Sequence, residues 1–270
     1  MCLICFFLLP LSFCSKAVKD HPFAYDLHLV TVPGSSSKAI ICFHGMGMDY
    51  RIIDYVEQCS KEEATLISFN FPDHSIRVGS FNPNDTHFGS IKEILPALYV
   101  LKKAVIDSKF QEVTLYGFSA GGGAIINTLA VLNTSSYDKE LKEIGIQKKE
   151  KKEILAAIQK GRVLLDAPLK SLREMLDYHE KMVELEIVAA RYEKNEMEPI
   201  DNISKLNGLG LHFIVNFQSP DEVLSNRDDE LYIERLKQLD SKGSLSFVIE
   251  GAGHGLPHPH LWDLHMQSLP

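Results

Sequence analysis

Three side chains of this 270-residue chain, Ser119, Asp221 and His254, could together carry out nucleophilic acyl chemistry. Ser119 sits in Gly117-Phe118-Ser119-Ala120-Gly121, after the apolar, β-prone run 113–118 and before the helix-like stretch 122–132. A strand that turns this sharply into a helix holds its central residue at strained dihedrals, and a neighbouring Cβ would clash. Glycines at 117 and 121 remove those side chains. The turn then presents the Ser119 hydroxyl at the carboxyl end of a strand, with helix N–H groups facing any negative charge that develops there. Taken alone, the pentapeptide fits a glycine-rich turn without chemistry equally well.

A serine nucleophile needs a base for its proton, an acid to orient that base, and donors for the oxyanion. The chain supplies candidates in the order Ser119, Asp221, His254, each after an expected strand, which would gather them at one sheet edge. His254 stands in Gly251-Ala252-Gly253-His254-Gly255, suited to a loop tip. Two carboxylates compete for the acid: Asp221, in Gln218-Ser219-Pro220-Asp221-Glu222-Val223, and Asp166, in Val163-Leu164-Leu165-Asp166-Ala167-Pro168. Pro220 stiffens the approach to Asp221, whereas Ala167-Pro168 makes Asp166 read as a turn or helix N-cap. His258 and His260 form a His-Pro-His turn with no helix bearing a third ligand, so they read as solvated rather than as metal ligands. His74 and His87 read as surface residues of the polar stretch 73–89.

The elements that must position these groups follow from periodicity. Strands are expected at 25–32, 38–43, 64–71, 113–118, 161–168, 211–217 and 245–250, with helices at 49–59, 90–107, 133–160, 169–198, 228–239 and 261–269. The run 38–43 is continuously apolar, as in a strand buried on both faces. Strands alternating with helices predict an α/β domain with a mainly parallel sheet.

These features together resemble the α/β-hydrolase family over residues 25–270. The resemblance rests on His44-Gly45 after an early strand, the Gly-Phe-Ser-Ala-Gly turn, Ser-Pro-Asp-Glu-Val after the penultimate strand, and Gly-Ala-Gly-His after the last. It implies a mainly parallel sheet flanked by helices, with a helical cap inserted at about 169–200. It implies Ser119 as nucleophile, His254 as base, and an oxyanion hole from the backbone N–H groups of Met46 and Ala120, with His44 bracing the loop. The family's commoner pattern, a strand, a short turn, an Asp and a small apolar residue, selects Asp221 with Val223 over Asp166. The implied activity is cleavage of an ester, thioester or related acyl bond of a small molecule. No cofactor and no metal are implied. A peptidase or acyltransferase with the same triad, or a noncatalytic binding protein on this fold, are the alternative readings.

Composition narrows the partners. The net charge is −8 and no basic stripe exists, which argues against nucleic acid. Hydrophobic residues make up 45% of the chain, enough for a core in one large domain, expected over 18–270. The five cysteines are too few and too unevenly placed for a disulfide scaffold, and Cys42 reads as a buried apolar residue. Residues 1–17 open with an apolar run, 2–13, too short to span a bilayer but suited to a signal peptide. Leu11-Ser12-Phe13-Cys14 is similar to a relaxed lipoprotein box, which would tether the chain to a membrane through Cys14. Either route implies export (periplasmic, secreted or lipid-anchored); an N-terminal strand or a displaced start codon, leaving the chain in the cytoplasm, is the competing reading.

Overall fold

The computed structural model describes residues 22–23, 27–72, 89–178, 197–224, 226–239, 245–250, 253–254 and 258–267. The expected leader with Cys14, His74 and His87, and the 179–196 part of the expected cap lie outside the described residues.

Among the described residues, seven strands form one sheet in the order β1-β3-β2-β4-β5-β6-β7. They are β1 (Val30–Val32), β2 (Lys38–Phe43), β3 (Thr65–Ser68), β4 (Glu112–Phe118), β5 (Val163–Asp166), β6 (Phe213–Ser219) and β7 (Leu245–Glu250). Only β1 runs antiparallel, against β3; the other pairings are parallel. The chain therefore carries the α/β sheet expected from its alternating pattern.

The helices are α1 (Ile52–Ser60), α2 (Ile91–Lys102), α3 (Ala120–Asn133), α4 (Asp138–Glu143), α5 (Lys148–Lys160), α6 (Leu172–Tyr178), α7 (Pro199–Asn202), α8 (Asp229–Gln238) and α9 (Pro259–Gln267). The two-residue alternation of the strands sorts their side chains into two cores. Ala39, Ile41 and Phe43 of β2 join Val113, Leu115, Val163, Leu165, Phe213 and Val215 beneath α2, α3 and α5. Ile40, Cys42, Tyr116, Phe118, Leu164 and Ile214 face the opposite layer, with α1 and with Leu261 and Trp262 of α9. Burial on both faces is why β2 is apolar at consecutive positions. Each such Ile or Phe removed from water contributes about 1.5–3 kcal/mol before entropic costs.

Strand limits differ from the periodic expectation for tertiary reasons. The first strand is short because His28 takes φ 40°, which extended backbone does not tolerate. The third ends at Ser68, and Asn70 leaves the sheet, donating its N–H to Leu27 O and accepting the Tyr50 N–H on Oδ1. The sixth lies two residues later than 211–217, its pairing with β5 starting at Phe213 and that with β7 running on to Ser219 opposite Glu250. The helix expected at 90–107 runs through Pro96 and widens in its last turn, Lys103–Asp107, into π geometry, closed by Ser108 N–H to Lys103 O at 2.9 Å.

Candidate active site

β4 ends at Phe118 and α3 begins at Ala120, so one residue makes the whole turn. Ser119 takes φ 52° and ψ −120°, a conformation that costs a non-glycine residue about 1–3 kcal/mol. The surroundings hold it there. Its N–H donates to Asp166 O at 2.9 Å, and its carbonyl accepts the Leu169 and Gly122 N–H groups at 2.8 and 2.9 Å. Close approach accounts for the flanking glycines: a Cβ on Gly121 would lie 2.2 Å from Phe43 O, and one on Gly117 2.8 Å from the Gly121 carbonyl.

The structure brings Ser119, His254 and Asp221 together at the carboxyl edge of the sheet. His254 Nε2 lies 2.9 Å from Ser119 Oγ, and His254 Nδ1 lies 2.8 Å from Asp221 Oδ2. A carboxylate can only accept, so Nδ1 carries the ring proton and Nε2 is left to accept from the serine hydroxyl. All three are buried, at 7%, 8% and 7% exposure for Ser119, His254 and Asp221. Solvent therefore screens this relay little. The Phe118 ring lies beside the imidazole, centroids 5.4 Å apart.

Asp221 is held by the turn that follows β6. Its Oδ1 accepts the N–H groups of Val223 and Leu224 at 2.9 and 2.6 Å, which leaves Oδ2 for the histidine. Burial by itself would raise its pKa. The hydrogen bonds from His254, Leu224 and Val223 outweigh that effect and hold the carboxyl below its usual range. Asn226 braces the turn, accepting the Asp221 N–H and donating to Gln218 O.

The other expected site residues are placed as follows. Ala120 heads α3, where a helix leaves its first N–H groups without intrahelical partners. Gly45 packs on Ser119, since a Cβ there would lie 3.2 Å from Ser119 Cβ, and Met46 follows it. The Met46 side chain packs against an apolar cluster of Ala120, Leu169, Leu172, Met175 and Leu224. His44 is fully buried. Its Nε2 accepts the Phe71 N–H at 3.1 Å, so Nδ1 bears the proton and donates to Gly45 O at 2.9 Å, bracing the loop. His260 is exposed on α9, and His258 is half-buried at its start.

Asp166 departs from the turn or N-cap role that Ala167-Pro168 suggests. It is fully buried on the α9 side of the sheet, between Phe118 and Asn216 in register. Its carboxylate accepts from Asn216 Nδ2 at 2.5 Å, His258 N–H at 2.6 Å and Tyr116 Oη at 3.2 Å. It makes no hydrogen bond to the His254 ring. Glu222 also escaped sequence reasoning: its carboxylate accepts the His254 backbone N–H at 3.2 Å, and Gly253, at φ 67°, lies against it. Its position directly after Asp221 was the only available signal.

Comparison with known proteins finds no matching family model and no matching curated protein. Solved structures do match along nearly the whole chain. TT1662 from Thermus thermophilus is 18% identical with a TM-score of 0.59, covering 90% of this chain and 92% of its own. Thermogutta terrifontis esterase 2, solved phosphonylated by sarin, is 17% identical with a TM-score of 0.59, covering 92% and 90%. The Bacillus cereus carboxylesterase is 14% identical with a TM-score of 0.51, covering 89% and 92%. Likeness at such identities carries the architecture, and the architecture of this chain is the α/β-hydrolase fold.

Proposed function

We propose that this chain is a serine hydrolase that cleaves an ester, thioester or related acyl bond of a small molecule. The observation that carries the reading is the buried relay from Ser119 Oγ through His254 to Asp221, with spacings of 2.9 and 2.8 Å. Esterases among the proteins of the same fold support a hydrolase reading.

In this mechanism Ser119 Oγ attacks the substrate carbonyl carbon while His254 Nε2 takes the hydroxyl proton. Asp221, ionised and hydrogen-bonded to Nδ1, stabilises the imidazolium that forms. The carbonyl oxygen becomes an oxyanion facing the N–H groups of Ala120 and Met46. His254 then returns its proton to the leaving group as the carbon–heteroatom bond breaks, giving an acyl-Ser119 ester. Water, deprotonated by His254, attacks that ester by the same route and frees the acid and Ser119. The apolar cluster of Leu169, Leu172, Met175 and Leu224 beside Ala120 favours an apolar substituent on the acyl substrate.

The test is labelling by a fluorophosphonate together with hydrolysis of short p-nitrophenyl esters. The expected outcome is a covalent adduct on Ser119, with both signals lost in a folded Ser119→Ala variant. Undiminished labelling of that variant would place the nucleophile elsewhere.

A further inference from the structure

The relay above leaves several buried ionisable groups unused, Asp166 among them. Asp166 lies on the same sheet edge, one strand from Ser119, and three donors converge on its carboxylate. Two of these, Asn216 and Tyr116, belong to neighbouring strands and fix where the carboxylate stands. The third, the His258 N–H, belongs to the segment that carries His254. His258 lies four positions after His254, so the chain between them reaches at most about 14 Å. Whatever holds residue 258 therefore limits where the imidazole can sit. At the other end, Glu222 accepts the backbone N–H of His254 itself.

We propose that Asp166 is a positioning residue for His254: its buried carboxylate accepts the His258 N–H and so anchors the far end of the segment that presents the imidazole to Ser119. Glu222 and Asp221 hold the near end, so three carboxylates grip this segment and only one of them meets the ring. This role differs from that of a triad acid, because Asp166 acts on a peptide group. Charge strengthens the anchor, since an ionised acceptor forms the shorter and stronger bond. The ionisable groups that face Asp166 among the described residues are Tyr116 from β4, Tyr55 from α1 and His254 across the edge. Burial, with the Asp166 charge adding to it, pushes both tyrosines up, so neither contributes a competing negative charge near neutral pH. The inference rests on the serine hydrolase reading.

The test follows the rate of fluorophosphonate labelling against pH in wild type, Asp166→Ala, Asp166→Asn and His258→Pro, with thermal unfolding as the check on folding. Asp166→Ala is expected to slow labelling about 10²-fold, the scale of a misplacement of about 1 Å in a reacting group. Asp166→Asn keeps an acceptor oxygen and is expected to lose about tenfold. In both, loss of the anion near the imidazolium moves the acid limb of the profile to lower pH. His258→Pro deletes the N–H but leaves the carboxylate, so labelling slows while the acid limb stays in place. His258→Pro also decides the matter if Asp166→Ala does not fold. Labelled wild type with unchanged rates and limbs in the folded variants overturns this inference alone. Wild type that Ser119 labelling does not detect overturns the hydrolase reading and this inference together.

Discussion

Replacing Asp221 by Asn tests the relay with little change of shape. The turn after β6 decides how the new amide sits. Asp221 Oδ1 receives two backbone N–H groups, from Val223 and Leu224, and an amide NH2 there would face two donors. The amide oxygen must therefore take the Oδ1 site, which turns the NH2 towards His254 Nδ1, now at 2.8 Å from Oδ2. A donor at that point compels Nδ1 to accept, so the ring proton moves to Nε2, the atom that must receive the Ser119 proton. The same substitution in a serine protease triad lowers turnover by about 10⁴, equivalent to about 5.4 kcal/mol of barrier at 1.36 kcal/mol per decade. The turn bonds survive, so the midpoint of thermal unfolding should shift by only a few degrees, since about 1 kcal/mol moves a domain of this size by about 2–4 °C. Steady-state hydrolysis of p-nitrophenyl acetate reads the first quantity and calorimetry the second. An Asp221→Asn enzyme within tenfold of wild-type turnover, alongside an inactive Ser119→Ala, would refute the reasoning and move the acid elsewhere.

Two further outcomes are expected. Gly121→Ala should abolish soluble folded protein or lower the melting temperature severely, because its Cβ would stand 2.2 Å from the Phe43 carbonyl oxygen, a backbone atom that cannot swing aside; a normal melting curve would contradict it. Asp166 should make stability depend on pH. Burial pushes its carboxyl up to about 6 from its usual 3.8, so between those values the folded chain holds a proton that the unfolded chain has released. Stability then falls as pH rises through that window, by about 3 kcal/mol from this group. Urea unfolding at pH 4.5 and 7.5 should show the wild-type-minus-Asp166→Asn difference changing in that direction, and a pH-independent difference would count against it.

Some features of this chain are local enough to be legible in its sequence. The elbow is one: the β-prone run 113–118, two glycines and a serine lie within a few residues, and steric exclusion at Gly117 and Gly121 acts over that same distance. The alternation of buried side chains along β2, β4 and β6 is another, because a strand's faces follow from its own backbone period. Strand order within the α/β class follows less directly, and strand ends only in part: β2 and β7 keep the expected limits, whereas β6 does not. β6 is displaced by two residues because its partners β5 and β7 set the register, and they are distant in sequence.

The motif after the penultimate strand points to Asp221 over Asp166, but where each carboxylate aims belongs to the tertiary structure. Asp166 and Asp221 both follow strands that point to the same edge, so strand position cannot separate them. What separates them is direction. Val223 and Leu224 draw Asp221 Oδ1 into its turn and leave Oδ2 aimed at the His254 ring, while Asn216 and Tyr116 hold Asp166 beneath the edge, facing the His258 peptide. Each outcome depends on donors contributed from other segments, up to 92 residues away in the case of Asp166 and His258. The types and order of the candidate site residues stand in the chain itself; the aim of each carboxylate comes from packing the described strands into one sheet.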